Sequence, residues 1–455
     1  MMNVNLLSKI TDYVLLNVCS LHSSGLYTGK AGVSLALFEV SGLMKDDDLE
    51  ERVFELLEES LLYKGDDFLR GLPACPDIEV CWIRLVHSRS KLIHRLERVG
   101  THLEYMIPLP LSMEPVLNES YWNNKYNSVV FYIIKHLFEE KSNVILHTHT
   151  LNLIDLALYI RSKVDCKIIT HLHCIPWKGL YNRNPEHFNR LYKLAYVHPS
   201  SETDLELVLT DWERRSYTLA DRLICVARCG ADFICKGVVG ALPPTDIIPN
   251  GMDDFYEKRT VSRKKDKLIR LVYVGALSPG KGLPFILEAL RGVKQRGYDN
   301  IQLQIAGSGH PRFVDSLASQ YCDLDVRFLG LLPFDKLKEV YQNSDIGVIA
   351  SLQEQASYVA LEMSMFGLAV ITTAVDGLDE MFTDGVTALK VGVTFSAEDG
   401  LKVDVKMLED KLIELIEDKK KRHRLGYNAR QMYLEKLTLE QMTERTVSIY
   451  RQLIR

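Results

Sequence analysis

The chain of 455 residues is 47% hydrophobic and 25% charged, which makes it globular and too long for one ordinary core, so two packed domains are the default. A net charge of −5 and a pI near 6.3 give no electrostatic footprint for nucleic acid. Nine cysteines without a CxxC pair, no basic segment of a signal peptide and no run of about 18 apolar residues lead to the expectation of a reduced, cytoplasmic protein without a membrane span.

In chain order, the first 70 residues read as helical. Leu6, Ile10 and Val14, then Val33, Leu37 and Val40, then Leu49, Val53, Leu56 and Leu57 recur at three and four residue spacing, which predicts three short helices, the third acidic from Asp46 to Glu59. From about residue 78, β-branched apolar runs alternate with amphipathic windows, the pattern of parallel sheets with helices on both faces. The first half supplies IEVCWIRLV, THLEYMIPL, NVILHTHT, KIITHLH and DRLICV; the second supplies IRLVYVGAL, IQLQIAG, VRFLG, IGVIAS, AVITTAV and TALKV. Two sheets of this kind predict two Rossmann-like domains. Between them, ALPPTDIIPNGMDDFYEKRTVSRKKDK joins paired prolines to an Asn-Gly turn and a charged stretch, a boundary signal.

The expected organisation is therefore a helical segment over 1–74, a first Rossmann-like domain over 75–248, a second over 249–435, and a C-terminal helix over 436–455 placed to pack back on the first domain. Ligands belong in the cleft between the domains, at the carboxyl ends of the strands. The one dense basic run, Lys419 to Arg424, reads as a solvated helix end, with peripheral attachment to an anionic membrane as the minor alternative.

The stretch EQASYVALEM, residues 354–363, carries the most specific chemistry. It follows a strand and opens a helix at about Ser357, where unpaired amides around Ser357, Tyr358 and Val359 can hold a phosphate. Glu362, more than a turn into that helix, is placed to accept from a ribose diol, and Glu354, on the loop, to face whatever a diphosphate carries. Upstream, VGALSPGKG sets Gly275, Gly280 and Gly282 around Lys281, whose ammonium can neutralise a departing diphosphate. IAGSGHP adds Gly307 and Gly309, which permit close backbone approach. Taken singly, each glycine reads as a turn, and the glutamate pair as the flank of a capped core helix; their order and register are the signal.

Together VGALSPGKG, AGSGH, VRFLG, the Glu354 to Glu362 pair, FGLAVITTAVDGLDE and IPNGMD, with KIITHLH and TLADRLICVAR upstream, resemble the retaining glycosyltransferases of the large family that includes sucrose-phosphate synthases and mannosyltransferases. The resemblance covers about residues 76–455. It implies an α/β GT-B fold, two Rossmann-like domains facing a cleft, and metal-independent transfer from a nucleoside-diphosphate sugar such as a UDP sugar, without a cofactor. Residue by residue it implies Lys281 on the diphosphate, Glu354 on the sugar, amides of Ser357, Tyr358 and Val359 on the phosphates, and Glu362 on the ribose. It further implies Gly275 and Gly307 in the donor loops, Leu329 near the nucleobase, and His173 reaching the sugar from the first domain. The acceptor is not specified: a glycan, a lipid-linked glycan or a peptide natural product all suit it. Within the family, EQASYVALEMSMFGLAVI most resembles a bacterial subgroup found beside peptide natural product genes.

Three departures stand out. Ala276 occupies the position where the family commonly has a second cation, Ala227 one where it often has a serine, and its N-terminal strand and glycine-rich loop are missing or replaced. Residues 20–74 look instead like the first helices of a lanthionine synthetase C-like protein, although nothing here matches that family's zinc ligands. Neither a GxSxG elbow nor an HExxH motif is present. His147 and His149 in LHTHT share a strand face, and with no further ligand expected nearby they read as lining the acceptor side or as structurally satisfied. Two functional classes remain open: an active transferase, or a catalytically weakened nucleotide-binding fusion with a binding or scaffolding role.

Overall fold

The structure is a computed structural model that describes residues 81–87, 95–99, 102–109, 119–149, 153–183, 186–190, 213–235, 239–256, 268–396 and 400–454. The helices expected over residues 1–74 and the replaced N-terminal unit lie outside the described residues.

The first half of the chain builds β1 (Cys81–His87), β2 (Arg95–Val99), β3 (His102–Leu109), α1 (Glu119–Ile134), β4 (Val144–Thr148), α2 (Ile154–Arg161), β5 (Cys166–Leu172), α3 (Pro176–Arg183), β6 (Arg222–Cys225), α4 (Arg228–Ile234) and β7 (Thr245–Ile247). Strands β4, β5, β6 and β7 form a parallel sheet in that order, and β1, β3 and β2 a smaller one in which β2 alone is antiparallel. Strand β2 reads RLERV; its charges suit an edge and hid it from an apolar-run search.

Strand β5 is buried on both faces, as the centre of a parallel sheet requires. Ile168 and Leu172 pack with Trp177, Phe188, Tyr217 and Ile234 on one side. On the other, Ile169 joins Ile224, Ile248 and five residues of the C-terminal helix, Leu439, Met442, Val447, Ile449 and Tyr450.

The second half comprises β8 (Ile269–Val274), α5 (Leu283–Gln295), β9 (Ile301–Ala306), α6 (Pro311–Gln320), β10 (Val326–Gly330), α7 (Phe334–Asn343), β11 (Ile346–Ile349), α8 (Tyr358–Met365), β12 (Ala369–Thr373), α9 (Asp376–Met381), β13 (Leu389–Val391), β14 (Val393–Ser396), β15 (Gly400–Val403), α10 (Val405–Glu417), α11 (Lys419–Lys436) and α12 (Leu439–Leu453). Its six-stranded parallel sheet runs β10-β9-β8-β11-β12-β13. Numbered from β8, that is the doubly wound order 3-2-1-4-5-6, whose reversal between β8 and β11 opens a crevice at their carboxyl ends. Separate cores cover the two faces, one around Leu271, Ile346 and Ile371, the other around Val272, Ile349 and Val370.

The chain passes between the halves twice, and the two crossings are tied. Met252 N–H donates to Leu437 O at 3.2 Å, Leu439 N–H donates to Met252 O at 3.0 Å, and the Tyr433 hydroxyl donates to the same Met252 carbonyl at 2.8 Å. Thr438 then starts α12 with a capping box shared with Gln441. In the basic run, Lys421 pairs with Glu414 and Arg422 donates to Ile416 O at 2.9 Å, so part of its charge closes the α10–α11 joint. Among the described residues no helix is long and apolar enough to cross a membrane.

One buried acid holds α3 in place. Glu213, 1% exposed, accepts from Trp177 N–H at 3.2 Å and from the Tyr217 hydroxyl at 2.6 Å. Burial pushes its carboxyl up to about 8, against the pull of those two bonds. The folded state therefore holds a proton that the unfolded chain has released, from the ordinary carboxylate pKa upward to about 8. Stability contributed by the protonated form is complete below that window and is lost as pH rises through it, at up to about 1.4 kcal/mol per pH unit. Glu213→Gln, which keeps both acceptor contacts without the charge, should flatten this slope and melt higher than wild type at pH 8. Melting curves at pH 5 and pH 8 that shift equally in both proteins would remove Glu213 from the pH response.

Candidate functional site

Two loops meet at the crevice. The loop after β8 makes a 3-10 turn, Pro279–Lys281, and ends at Gly282 in the left-handed region, with φ of 77°. The loop after β11 crosses it so closely that a Cβ on Gly282 would stand 1.9 Å from the Ala350 carbonyl oxygen; only glycine fits there. Leu352 N–H donates to Gly280 O at 2.9 Å. Across this junction Lys281 Nζ pairs with Glu354 Oε2 at 2.5 Å, with side chains 18% and 16% exposed. Ser351 Oγ lies 3.5 Å from the same carboxylate oxygen.

Beside the pair, α8 opens with Ser357 as its N-cap, the hydroxyl accepting from Ala360 N–H at 3.2 Å. A helix offers no internal acceptor to its first N–H groups, so the amides of Tyr358 and Val359 are those that an anion at this terminus would meet. Glu362 lies one turn on and is buried at 4% exposure; its Oε2 accepts from the Tyr341 hydroxyl of α7 at 2.6 Å, which fixes the carboxylate's orientation. Gly307 and Gly275 serve a backbone contact: a Cβ on Gly307 would fall 1.7 Å from Gly275 O, and Leu277 N–H donates to Ser308 O at 2.8 Å. Leu329 is half-buried on the edge strand β10. Ala276 is 1% exposed and its carbonyl accepts from the Tyr273 hydroxyl at 2.6 Å, so a longer side chain there has to displace its neighbours.

The first domain closes on this site through contacts that the sequence did not reveal. Lys178 of α3 pairs with Asp376 of α9, and Asp376 Oδ2 in turn accepts from Glu354 N–H at 3.1 Å. Glu380 accepts from the N–H groups of Arg228 and Cys229 at 3.0 and 3.1 Å, capping α4, whose own N-cap, Ala227, has no side-chain bond to offer. Gly230 of α4 leaves space for Gln355, whose Oε1 would be 2.7 Å from a Cβ there.

His173, at the end of β5, stands in a group of four histidines. Its Nε2 lies 3.0 Å from His149 Nδ1, and His147 Nδ1 lies 2.6 Å from the Tyr450 hydroxyl. Burial lowers all four imidazoles, His147 to about 3 and His173 to about 4, and His149 and His171 well below the usual range. Charge on neighbouring histidines adds to the fall at His147, His149 and His171, while a side-chain hydrogen bond to Asn250 opposes it at His173. The expectation that His147 and His149 have no further potential ligand nearby is corrected by the β4–β5 pairing, which brings His171 and His173 alongside. The signal was present: LHTHT and THLH both space histidines by two, but only strand adjacency makes them one cluster.

Two Rossmann-like α/β domains facing a cleft, with the charged loops of the second at its switch point, define a GT-B glycosyltransferase fold. Residues 254–432 match the family model described as Glycosyl transferases group 1 and residues 91–254 the one described as Glycosyltransferase Family 4; together they place the chain among the GT-B glycosyltransferases. An uncharacterized glycosyltransferase of Methanocaldococcus jannaschii is 29% identical over 198 residues, 43% of this chain and 47% of the relative. The phosphatidylinositol N-acetylglucosaminyltransferase GPI3 subunit of Saccharomyces cerevisiae is 29% identical over 182 residues, 37% and 39% of the two chains. The chain thus spans less than half the length of these curated relatives. Sucrose-phosphate synthase from Thermosynechococcus elongatus shares the fold with a TM-score of 0.61 at 19% identity, over 86% of this chain and 94% of that one. Anabaena HepE, solved with UDP-glucose, superposes with a TM-score of 0.52 at 17% identity, over 72% and 82%.

The loop junction makes a direct stability prediction. Gly282→Ala meets both a left-handed backbone and the Ala350 carbonyl, and should cost at least about 2 kcal/mol. Gly280→Ala, where a Cβ meets nothing within 4 Å, should cost less than about 0.5 kcal/mol. Equal urea midpoints for the two variants would show that the loops do not cross as described.

Proposed function

We propose that the protein is a retaining glycosyltransferase that moves a sugar from a nucleoside-diphosphate sugar to an acceptor hydroxyl. The observation that carries this reading is the Lys281–Glu354 pair, held at 2.5 Å beside the N-terminus of α8 at the switch point of the second sheet. An incoming diphosphate exchanges the carboxylate for phosphate oxygens at Lys281, and the released Glu354 accepts from hydroxyls of the sugar. The amides of Ser357, Tyr358 and Val359 take the remaining phosphate charge, Glu362 takes the ribose, Leu329 flanks the base, and His173 meets the sugar from the first domain.

In the transfer the bond from the anomeric carbon to the diphosphate oxygen breaks while the bond to the acceptor oxygen forms on the same face. The acceptor's proton passes to the departing diphosphate. Lys281 and the helix amides stabilise the leaving charge in place, so the reading assigns this step no metal and no protein nucleophile. Because the Anabaena structure was solved with UDP-glucose, UDP sugars are the first donors to test. The proposed acceptor classes are a glycan, a lipid-linked glycan or a peptide natural product.

A second reading, a chain that binds nucleotide without turnover, is favoured by the buried Ala276 in place of a second cation. Incubation with a panel of UDP and GDP sugars, following release of nucleoside diphosphate, separates the two. Release marks the transferase; calorimetric binding of a nucleotide without release marks the second reading. In an active protein, Glu354→Gln should lower turnover by about two orders of magnitude with little change in nucleotide affinity. Wild-type turnover in that variant would take Glu354 out of the mechanism.

A further inference from the structure

We propose that the histidines at the carboxyl ends of β4 and β5 bind a divalent transition cation, zinc, through His147, His149 and His171. The parallel register sets His147 opposite Ile169 and Thr148 opposite Thr170. One step further along, His149 comes beside His171, and side chains two apart share a face. The three rings gather accordingly, with centroids 4.3 Å apart for His147 and His149, 5.3 Å for His147 and His171, and 5.1 Å for His149 and His171. One ligand nitrogen from each lies within 4.8 Å of the other two. Tetrahedral zinc with bonds near 2.0 Å needs about 3.3 Å between ligand nitrogens, so binding requires the rings, 7° to 35° apart in plane, to turn about their side-chain torsions until their in-plane lone pairs converge.

The outer contacts suit the same reading. Metal-bound imidazoles are oriented by a hydrogen bond at their other nitrogen. Here Tyr450 holds Nδ1 of His147 at 2.6 Å and His173 holds Nδ1 of His149 at 3.0 Å, so Nε2 is the nitrogen that each would turn to the ion. His171 supplies an independent observation. It is 2% exposed, and neither ring nitrogen has a hydrogen-bond partner among the described residues. A neutral imidazole carries one donor and one lone pair, and buried polar atoms normally find partners; an aromatic stack satisfies neither nitrogen, whereas a cation uses the lone pair. An all-imidazole set suits zinc, copper or nickel over magnesium or calcium. The site is built on the first domain, so it stands or falls separately from the donor chemistry at Lys281 and Glu354.

The test uses the full chain, stripped with a chelator, desalted and titrated with Co2+. The expected result is one equivalent bound with the visible absorption of a four- or five-coordinate nitrogen site, displaced by one equivalent of Zn2+ that also raises the melting temperature. His149→Gln and His171→Leu should each weaken binding by at least about tenfold to a hundredfold. His423→Gln, an exposed histidine on the second domain, should leave it unchanged. Wild type that takes up no stoichiometric Co2+ overturns the proposal whatever the variants do. So does a near-ultraviolet thiolate band, which would assign the metal to cysteines, or wild-type affinity in both cluster variants.

Discussion

The close crossing of the loops after β8 and β11 is the constraint on which the rest of the site depends. Because no Cβ fits between Gly282 and the Ala350 carbonyl, the two loops can approach until Lys281 and Glu354 meet. Neither charge would be comfortable alone: a partly buried ammonium or carboxylate without a partner loses hydration that nothing replaces. Such a pair contributes little to stability, since desolvation offsets most of its attraction. Its value lies in position. Each member keeps the other aimed at the crevice, and under the proposed function each is traded for a group of the donor.

The same loop also reaches the first domain through a chain of contacts. Glu354 N–H is held by Asp376, and Asp376 pairs with Lys178 across the cleft. A few residues on, Glu380 supplies α4 with the acceptors that Ala227 lacks. A serine at 227 could cap its own helix in either domain arrangement; a cap borrowed from the opposite domain exists only while the cleft is closed. The alanine at 227 thus leaves two helix amides to be satisfied by the opposite domain. The tied crossings at Met252 and Leu437 bind both linkers to each other.

Legibility in the sequence followed burial. Strands sealed on both faces, such as IGVI and AVITT, are mostly apolar runs that announce a parallel sheet without help from the rest of the chain. Strands outside that environment did not announce themselves: β2 is charged, β7 has three residues, and β14 and β15 form a short antiparallel pair beside the main sheet. In the site, Lys281, Glu354 and Ser357 could be picked out because glycine spacing and a helix start mark the ends of strands. Their partners could not. Lys178 and Asp376 are 198 residues apart and Arg228 and Glu380 are 152 apart, and no local pattern encodes a pairing made between domains. The histidine cluster lies between these cases, since both of its halves were visible as spaced histidines while their adjacency depended on strand order.

Ala276 shows how far packing constrains the chemistry. Its sequence position suggests a lost cation that an arginine would restore to the diphosphate. In the fold its methyl is enclosed, and its backbone is fixed by the Tyr273 hydroxyl on its carbonyl and by the neighbouring Leu277–Ser308 bond. A guanidinium confined there would be a buried charge requiring partners before it contributed anything. The gain expected from a bidentate contact with phosphate must therefore be set against opening this packing, and the side chain would have to turn out toward the crevice to collect it. With one lysine at the loop, the rest of the compensating charge in the proposed donor site falls to the amides at the start of α8, whose partial charges are fixed in the backbone and need no desolvated side chain.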